Sequence, residues 1–145
     1  MKIAIASDHA AFEFREILSK YLSENGHEVK DFGCPQPESC DYPDFGIPAV
    51  KAVADGEVDR TILCCGNGIG MSIMANKVPG VLAAMVYSET SAQATREHHG
   101  SNVLCLGARE FTAETLLKFT DIWLTTEFEG GRHARRIGKI QDLEA

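Results

Sequence analysis

The feature that most constrains this chain is a repeated alternation of short, apolar, β-rich runs with stretches of helical periodicity, from Lys2 almost to the C-terminus. Lys2–Ser7 (KIAIAS) predicts a strand. Ala11–Asn25 predicts a helix, with Phe12, Phe14, Ile17, Leu18, Tyr21 and Leu22 near helical spacing and Gly26 as its stop. Glu28–Phe32 predicts a second strand, Gly33–Pro43 an ordered loop, and Asp44–Asp55 a helix that tolerates Pro48 near its start. Arg60–Cys64, Val81–Val86 and Asn102–Leu106 predict three further strands. Helices are expected from Ile69 to Lys77, after Ser88, from Thr112 to Trp123, and from Arg132 to about Gln141, with Ser88 and Thr112 as N-caps.

Strands that alternate with helices in this way are buried on both faces, which implies a parallel sheet covered on each side. Right-handed crossovers then give a doubly wound, Rossmann-like, three-layer α/β domain with a five-stranded parallel sheet and an extra C-terminal helix. The 145 residues suit a single domain, with no linker, repeat or low-complexity segment. Ligands in such folds bind beyond the carboxyl ends of the strands.

Polar and glycine-rich residues succeed several of the predicted strands. Asp8 and His9 come after the first, Cys65-Gly66-Asn67-Gly68-Ile69-Gly70 after the third, Tyr87 and Ser88 after the fourth, and Gly107 and Arg109 after the fifth. The glycine turn opens a helix and matches neither the dinucleotide nor the Walker pattern. A thiol at that junction is placed where the helix N-terminus favours thiolate, and the neighbouring N–H groups can share the charge of an enediolate. On local grounds Cys65 reads equally as a buried strand-end thiol, and the turn as a simple tight turn. Asp8-His9 is either a proton-handling pair or a capping Asp beside a surface His. His98-His99 is a second source of imidazole or a surface pair. Arg132 and Arg136, one helical turn apart, form a phosphate grip or a solvated basic face. Cys64 should turn to the opposite face of the strand, into the core.

A formal charge of −7 argues against nucleic-acid or anionic-membrane binding, yet Arg132, His133, Arg135, Arg136 and Lys139 concentrate positive charge locally. No apolar run is long enough for a membrane span, and the N-terminus turns polar too early for a secretory leader, so a cytoplasmic protein is expected. Cysteines 34, 40, 64, 65 and 105 are odd in number and contain no C-x-x-C, which predicts reduced thiols and no metal site. Cys34, Cys40 and Cys105 have no spacing that suggests chemistry. A redox pair at Cys64-Cys65 is disfavoured, because adjacent cysteines rarely close an unstrained disulfide.

Asp8-His9, Asp41-Tyr42-Pro43, Cys65-Gly66-x-Gly68-x-Gly70, Ala75-Asn76-Lys77, His98, Asn102-Val103-Leu104 and Glu129-Gly130-Gly131-Arg132-His133-x-x-Arg136, in that order, resemble the family of type B ribose-5-phosphate isomerase and the galactose-6-phosphate isomerase subunits. The resemblance spans essentially the whole chain. It implies an α/β/α sandwich forming a homodimer or homotetramer, an active site at the dimer interface, and no metal or organic cofactor. Carried over by position, it implies Cys65 as the base moving a proton between C1 and C2, and the N–H groups of Gly66 to Gly70, Ile69 among them, as the anion hole. His98 then opens the sugar ring, with Asp8 and Tyr42 lining the same region. His9, Arg132, Arg136 and Arg109 bind phosphate. The family usually has Thr or Ser where this chain has Asn67, and Asn where it has His99, so the pattern implies altered contacts to substrate at both positions. The expected reaction is ribose 5-phosphate to ribulose 5-phosphate. The alternatives are isomerisation of allose or galactose 6-phosphate, and a non-catalytic sugar-phosphate-binding module.

Overall fold

The structure, a computed structural model, describes residues 1–144. Five strands, β1 (Lys2–Ser7), β2 (Glu28–Asp31), β3 (Arg60–Cys65), β4 (Ala83–Met85) and β5 (Val103–Gly107), form one sheet in the order β2-β1-β3-β5-β4. Every pairing is parallel, as the alternation predicts. The helices are α1 (Phe12–Glu24), α2 (Tyr42–Ala54), α3 (Ile69–Ala75), α4 (Glu89–Glu97), α5 (Ala113–Thr125) and α6 (Arg132–Gln141).

Side-chain alternation along the strands divides the interior in two. On one face Ile3, Ile5, Ile62, Cys64, Leu104 and Leu106 pack against Phe14, Leu18 and Leu22 of α1, Ala92 of α4, and Leu116, Phe119 and Trp123 of α5. On the other, Ala4, Ala6, Leu63, Cys65, Val103 and Cys105 meet Ala49, Val50 and Val53 of α2 and Met71 and Ala75 of α3. Cys64 and Cys65 therefore belong to different layers, as neighbours on a strand must.

Two buried side chains are paired across elements. Trp123, fully enclosed, donates Nε1–H to Ser101 Oγ at 2.9 Å. Arg15 reaches from α1 to Ser7 Oγ at 2.6 Å and to Asp31 at 3.2 Å, tying the helix to the ends of β1 and β2.

The boundaries differ from expectation where capping decides them. Asp8 accepts the N–H groups of Ala10 and Ala11, which shapes residues 9–11 into a 3-10 turn before α1 begins at Phe12. Helix α2 starts at Tyr42 rather than Asp44. Pro43 costs nothing there, because the first-turn N–H it lacks has no intrahelical partner to lose. No helix among the described residues is long and apolar enough to cross a membrane.

Candidate functional site

From β1 the chain crosses to β2 on one side and later returns to β3 on the other, so a crevice opens where β1 and β3 end together. Asp8 and Cys65 flank it, joined by Asp8 N–H donating to Cys64 O at 3.2 Å. Gly68 takes a left-handed conformation (φ 84°), which any side chain would resist, and this aims its N–H at Cys65 Sγ, 3.2 Å away. The sulfur is held by the turn that succeeds it, with the Cys65 residue only 5% exposed in the isolated chain. Asn67 folds back so that Oδ1 accepts the N–H of Ile69 at 3.0 Å, the cap that the N-terminus of α3 otherwise lacks. That N–H is therefore engaged by a side chain.

Two other elements close on the turn. Arg109 N–H donates to Gly66 O at 3.0 Å, and the Arg109 side chain lies along Gly66, where a Cβ would meet it at 3.6 Å. The Tyr42 ring, from the start of α2, sits directly on Gly70. His9 accepts the Cys40 main-chain N–H on Nδ1 at 3.3 Å. Asp8, His9, Tyr42, Cys65, Asn67, the three glycines of the turn, Ile69 and Arg109 thus gather at the carboxyl edge of the sheet.

The remaining predicted residues do not join them within one chain. Helix α4 runs back from the carboxyl edge, so His98 at its C-cap and His99 lie just before β5 starts, at the amino edge. Helix α6 begins at the same place: Glu129 N–H donates to Glu97 O at 3.1 Å, and the His133 ring stacks on His98 with centroids 4.5 Å apart and planes at 15°. Arg132 and Arg136 belong to that helix and hence to that edge. The length of β5 alone, at about 3.3 Å per residue, puts ~16 Å between the two edges.

His133 is buried. Burial first, then Arg132 and His98, hold its pKa below the ordinary histidine value, with Glu129 opposing and Arg136 reinforcing the shift. Its Nε2 lies 3.4 Å from the Glu129 carboxylate, near enough for ion pairing but without hydrogen-bond alignment. Ligand atoms of His98, Glu129 and His133 fall within 4.8 Å of one another. Two adjoining open depressions of about 260 and 350 Å³ share Ala84, Thr95 and His99 in their lining, and Thr95 is a buried residue with an unpartnered hydroxyl.

The sequence pattern of the ribose/galactose isomerase family matches residues 3–140 of this chain. The chain belongs to that family. Ribose-5-phosphate isomerase B of Escherichia coli is 41% identical over 143 residues, 99% of this chain and 96% of that protein. The Clostridium thermocellum ribose-5-phosphate isomerase B structure superposes with a TM-score of 0.98 at 47% identity, covering 99% of this chain and 97% of that one. A Mycoplasma genitalium ribose-5-phosphate isomerase B with bound ribulose 5-phosphate gives 0.96 at 43% identity, covering 99% and 95%.

Sequence reasoning missed three parts of this arrangement. Glu129 and His133 are part of the motif before and within α6, but their contact with the end of α4 shows only in the folded chain. Thr95 reads as an ordinary helix residue. Cys34 and Cys40 show no meaningful spacing, yet their sulfurs lie 3.4 Å apart beside His9. By contrast, Cys64 is fully buried as expected, and burial pushes its thiol well above the ordinary range, as it does that of Cys105.

Proposed function

We propose that this family member interconverts D-ribose 5-phosphate and D-ribulose 5-phosphate, as an aldose–ketose isomerase, in a site built from two copies of the chain. The observation that carries the reading is the division of chemistry between the two sheet edges. The carboxyl edge offers a positioned sulfur, a glycine turn and one arginine. The amino edge offers two further arginines and the imidazoles. Neither edge alone supplies both a base for proton transfer and a full set of groups for ring opening and phosphate binding.

A second copy remedies this. Ile69, Ile73, Met85 and Tyr87 are 48%, 59%, 37% and 63% exposed around the Cys65 turn, an apolar surface of the kind that marks an interface. Docked against the amino edge of a partner in a two-fold dimer, it brings the partner's His98, Arg132 and Arg136 toward Cys65. A homotetramer pairs two such dimers.

In the composite site His98 moves a proton to open the furanose ring. The Cys65 thiolate removes the C2 proton of the open aldose, and the negative oxygen of the enediolate lies against the N–H groups of Gly66, Asn67 and Gly70, since those of Gly68 and Ile69 are held by Cys65 Sγ and Asn67 Oδ1. Cys65 returns the proton at C1 while the hydroxyl proton on O2 passes to O1, giving the ketose. Asp8 and Tyr42 orient the sugar hydroxyls, while His9, Arg109 and the partner's arginines hold the phosphate. The chemistry is proton transfer throughout and calls for no metal or organic cofactor. Residues 1–145 act as one isomerase domain, in a reducing, cytoplasmic setting suited to its free thiols.

Mixing variants tests the composite site. Cys65→Ala and Arg132→Ala should each be inactive alone. A two-fold mixed dimer carries one intact site of two, so re-associated equal mixtures should regain roughly a quarter of parental activity. No recovery from mixtures that do form mixed dimers would place the whole site in one chain. The family also includes galactose isomerases, and Asn67 and His99 both border the sugar. Comparing kcat/KM on ribose 5-phosphate, allose 6-phosphate and galactose 6-phosphate decides between pentose and hexose. Absence of solvent hydrogen exchange at C1 or C2 on every sugar phosphate would leave a binding module.

A further inference from the structure

The segment between β2 and α2 brings two thiols into contact outside the machinery described above. Cys40 Sγ lies 3.4 Å from Cys34 Sγ, and Cys34 in turn donates its S–H to Gln36 O at 2.8 Å. Cys34 is only 2% exposed, whereas Cys40 is half-buried. Both line an open depression of about 180 Å³ with Pro35, Glu38 and Phe45. One sulfur is therefore reachable from solvent and the other waits behind it. The Cys64 and Cys105 thiols are sealed in the core and have no such access.

We propose that Cys34 and Cys40 form a reversible disulfide, with a small-molecule disulfide as oxidant, and that the bond weakens phosphate binding through His9. The Cys40 thiolate attacks the oxidant, forming a mixed disulfide and releasing one thiolate. Cys34, losing its proton to solvent, then attacks Cys40 Sγ and expels the second. Two protein thiols and one disulfide become one protein disulfide and two small thiols, a two-electron exchange that balances. An S–S bond of about 2.05 Å requires the sulfurs to close by ~1.3 Å. That displacement falls within an irregular seven-residue segment, 34–40, free of helix or strand.

The bond has a direct route to the substrate site. Cys40 donates its main-chain N–H to His9 Nδ1 at 3.3 Å, and its sulfur lies 4.0 Å from the same atom. Two residues later Tyr42 lies on Gly70. Drawing Cys40 toward Cys34 shifts the anchor of the His9 ring. The coupling to phosphate rests on the reading of His9 given above; the disulfide itself does not. Burial first, then the hydrogen bond to Cys34, raises the Cys40 pKa to about 11. Oxidation is consequently slow near neutrality and should quicken by roughly tenfold per pH unit between pH 7 and 9.

The test is incubation of the whole protein with oxidised glutathione, followed by alkylation, peptide mass mapping and kinetics. The expected product is a Cys34–Cys40 linked peptide, with KM for the sugar phosphate raised several-fold, kcat nearly unchanged, and full reversal by dithiothreitol. Cys34→Ser should keep parental kinetics before treatment and show no KM change after it. Free, alkylatable Cys34 and Cys40, glutathione retained on Cys40, or a bond between chains would each overturn the disulfide. A linked peptide with unchanged KM would overturn the coupling to His9 while leaving the bond established. Loss of kcat with glutathione on Cys65 alone would assign the sensitivity to the base and overturn the proposal.

Discussion

Gly70→Ala offers a sharp test of how the site is packed, because the structure fixes what the added methyl meets. A Cβ at Gly70 would lie 2.7 Å from Tyr42 Cζ, 2.9 Å from its hydroxyl oxygen and 3.0 Å from Cε1. Ordinary carbon–carbon contact is about 3.5–4.0 Å, so the ring must retreat by ~1 Å. Gly70 is within α3 and its backbone is unstrained, so alanine also gains about 0.5–1 kcal/mol of helix preference. Overpacking costs about 1–3 kcal/mol, which equals or exceeds that gain. The net loss of roughly 0–2.5 kcal/mol corresponds to a fall in Tm of up to several degrees for a chain of this size. If Tyr42 orients the sugar as proposed, activity should suffer more, since a 1 Å misplacement of a substrate-positioning group can cost about 10²-fold in rate. Scanning calorimetry and kcat/KM on ribose 5-phosphate read the two effects separately. Adding Tyr42→Ala removes the clash, so the two stability losses should fall well short of additive, without activity being restored. A Gly70→Ala protein that is more stable than its parent and equally active would refute the packing of Tyr42 on the turn.

Cys65→Ala should lower kcat by about 10²–10⁴-fold, the range for loss of a general base, with a modestly lowered denaturation midpoint because the buried sulfur accepts the Gly68 N–H; near-parental kcat would remove Cys65 from the proton transfer. Ser101→Ala leaves the Trp123 N–H unpaired in the core and should cost about 1–3 kcal/mol, measured by urea unfolding monitored on the chain's single tryptophan; a cost below measurement would mean the indole N–H finds another acceptor. His133 is held neutral, so on acidification the unfolded chain takes up its proton first, and stability should fall as pH drops below about 6.5. His27, lowered mainly by burial, adds a slope of the same sign. His133→Gln should flatten this dependence in urea midpoints between pH 5 and 8, and an unchanged slope would refute the assignment.

Most of the sheet was legible in the sequence because each strand announces itself by an apolar run and each helix by its period. The alternation of Cys64 and Cys65 to opposite faces comes from strand geometry alone and holds here. Boundaries were less legible where one side chain decides them, as Asp8 does by capping a 3-10 turn. The residues proposed for the site could be picked out by type, whereas their placement at two opposite edges of the sheet could not. His98 lies at the α4 C-cap and Arg132 and Arg136 in α6, and the residues at the carboxyl end of each strand say nothing of those at the far end of a returning helix. The Cys34–Cys40 contact depends on the path of an irregular segment, for which no periodicity exists. Asn67 was legible as a departure from the family pattern, whereas its commitment to the Ile69 N–H needed coordinates.

The separation of His98 from Cys65 along the length of β5 has a kinetic consequence. Isolated protomers cannot turn over substrate if each working centre straddles two of them, so on deep dilution the rate should scale with the square of protein concentration rather than its first power. Freshly diluted samples would then lose velocity with time as assemblies come apart, and saturating sugar phosphate, bridging both halves, should slow that decay.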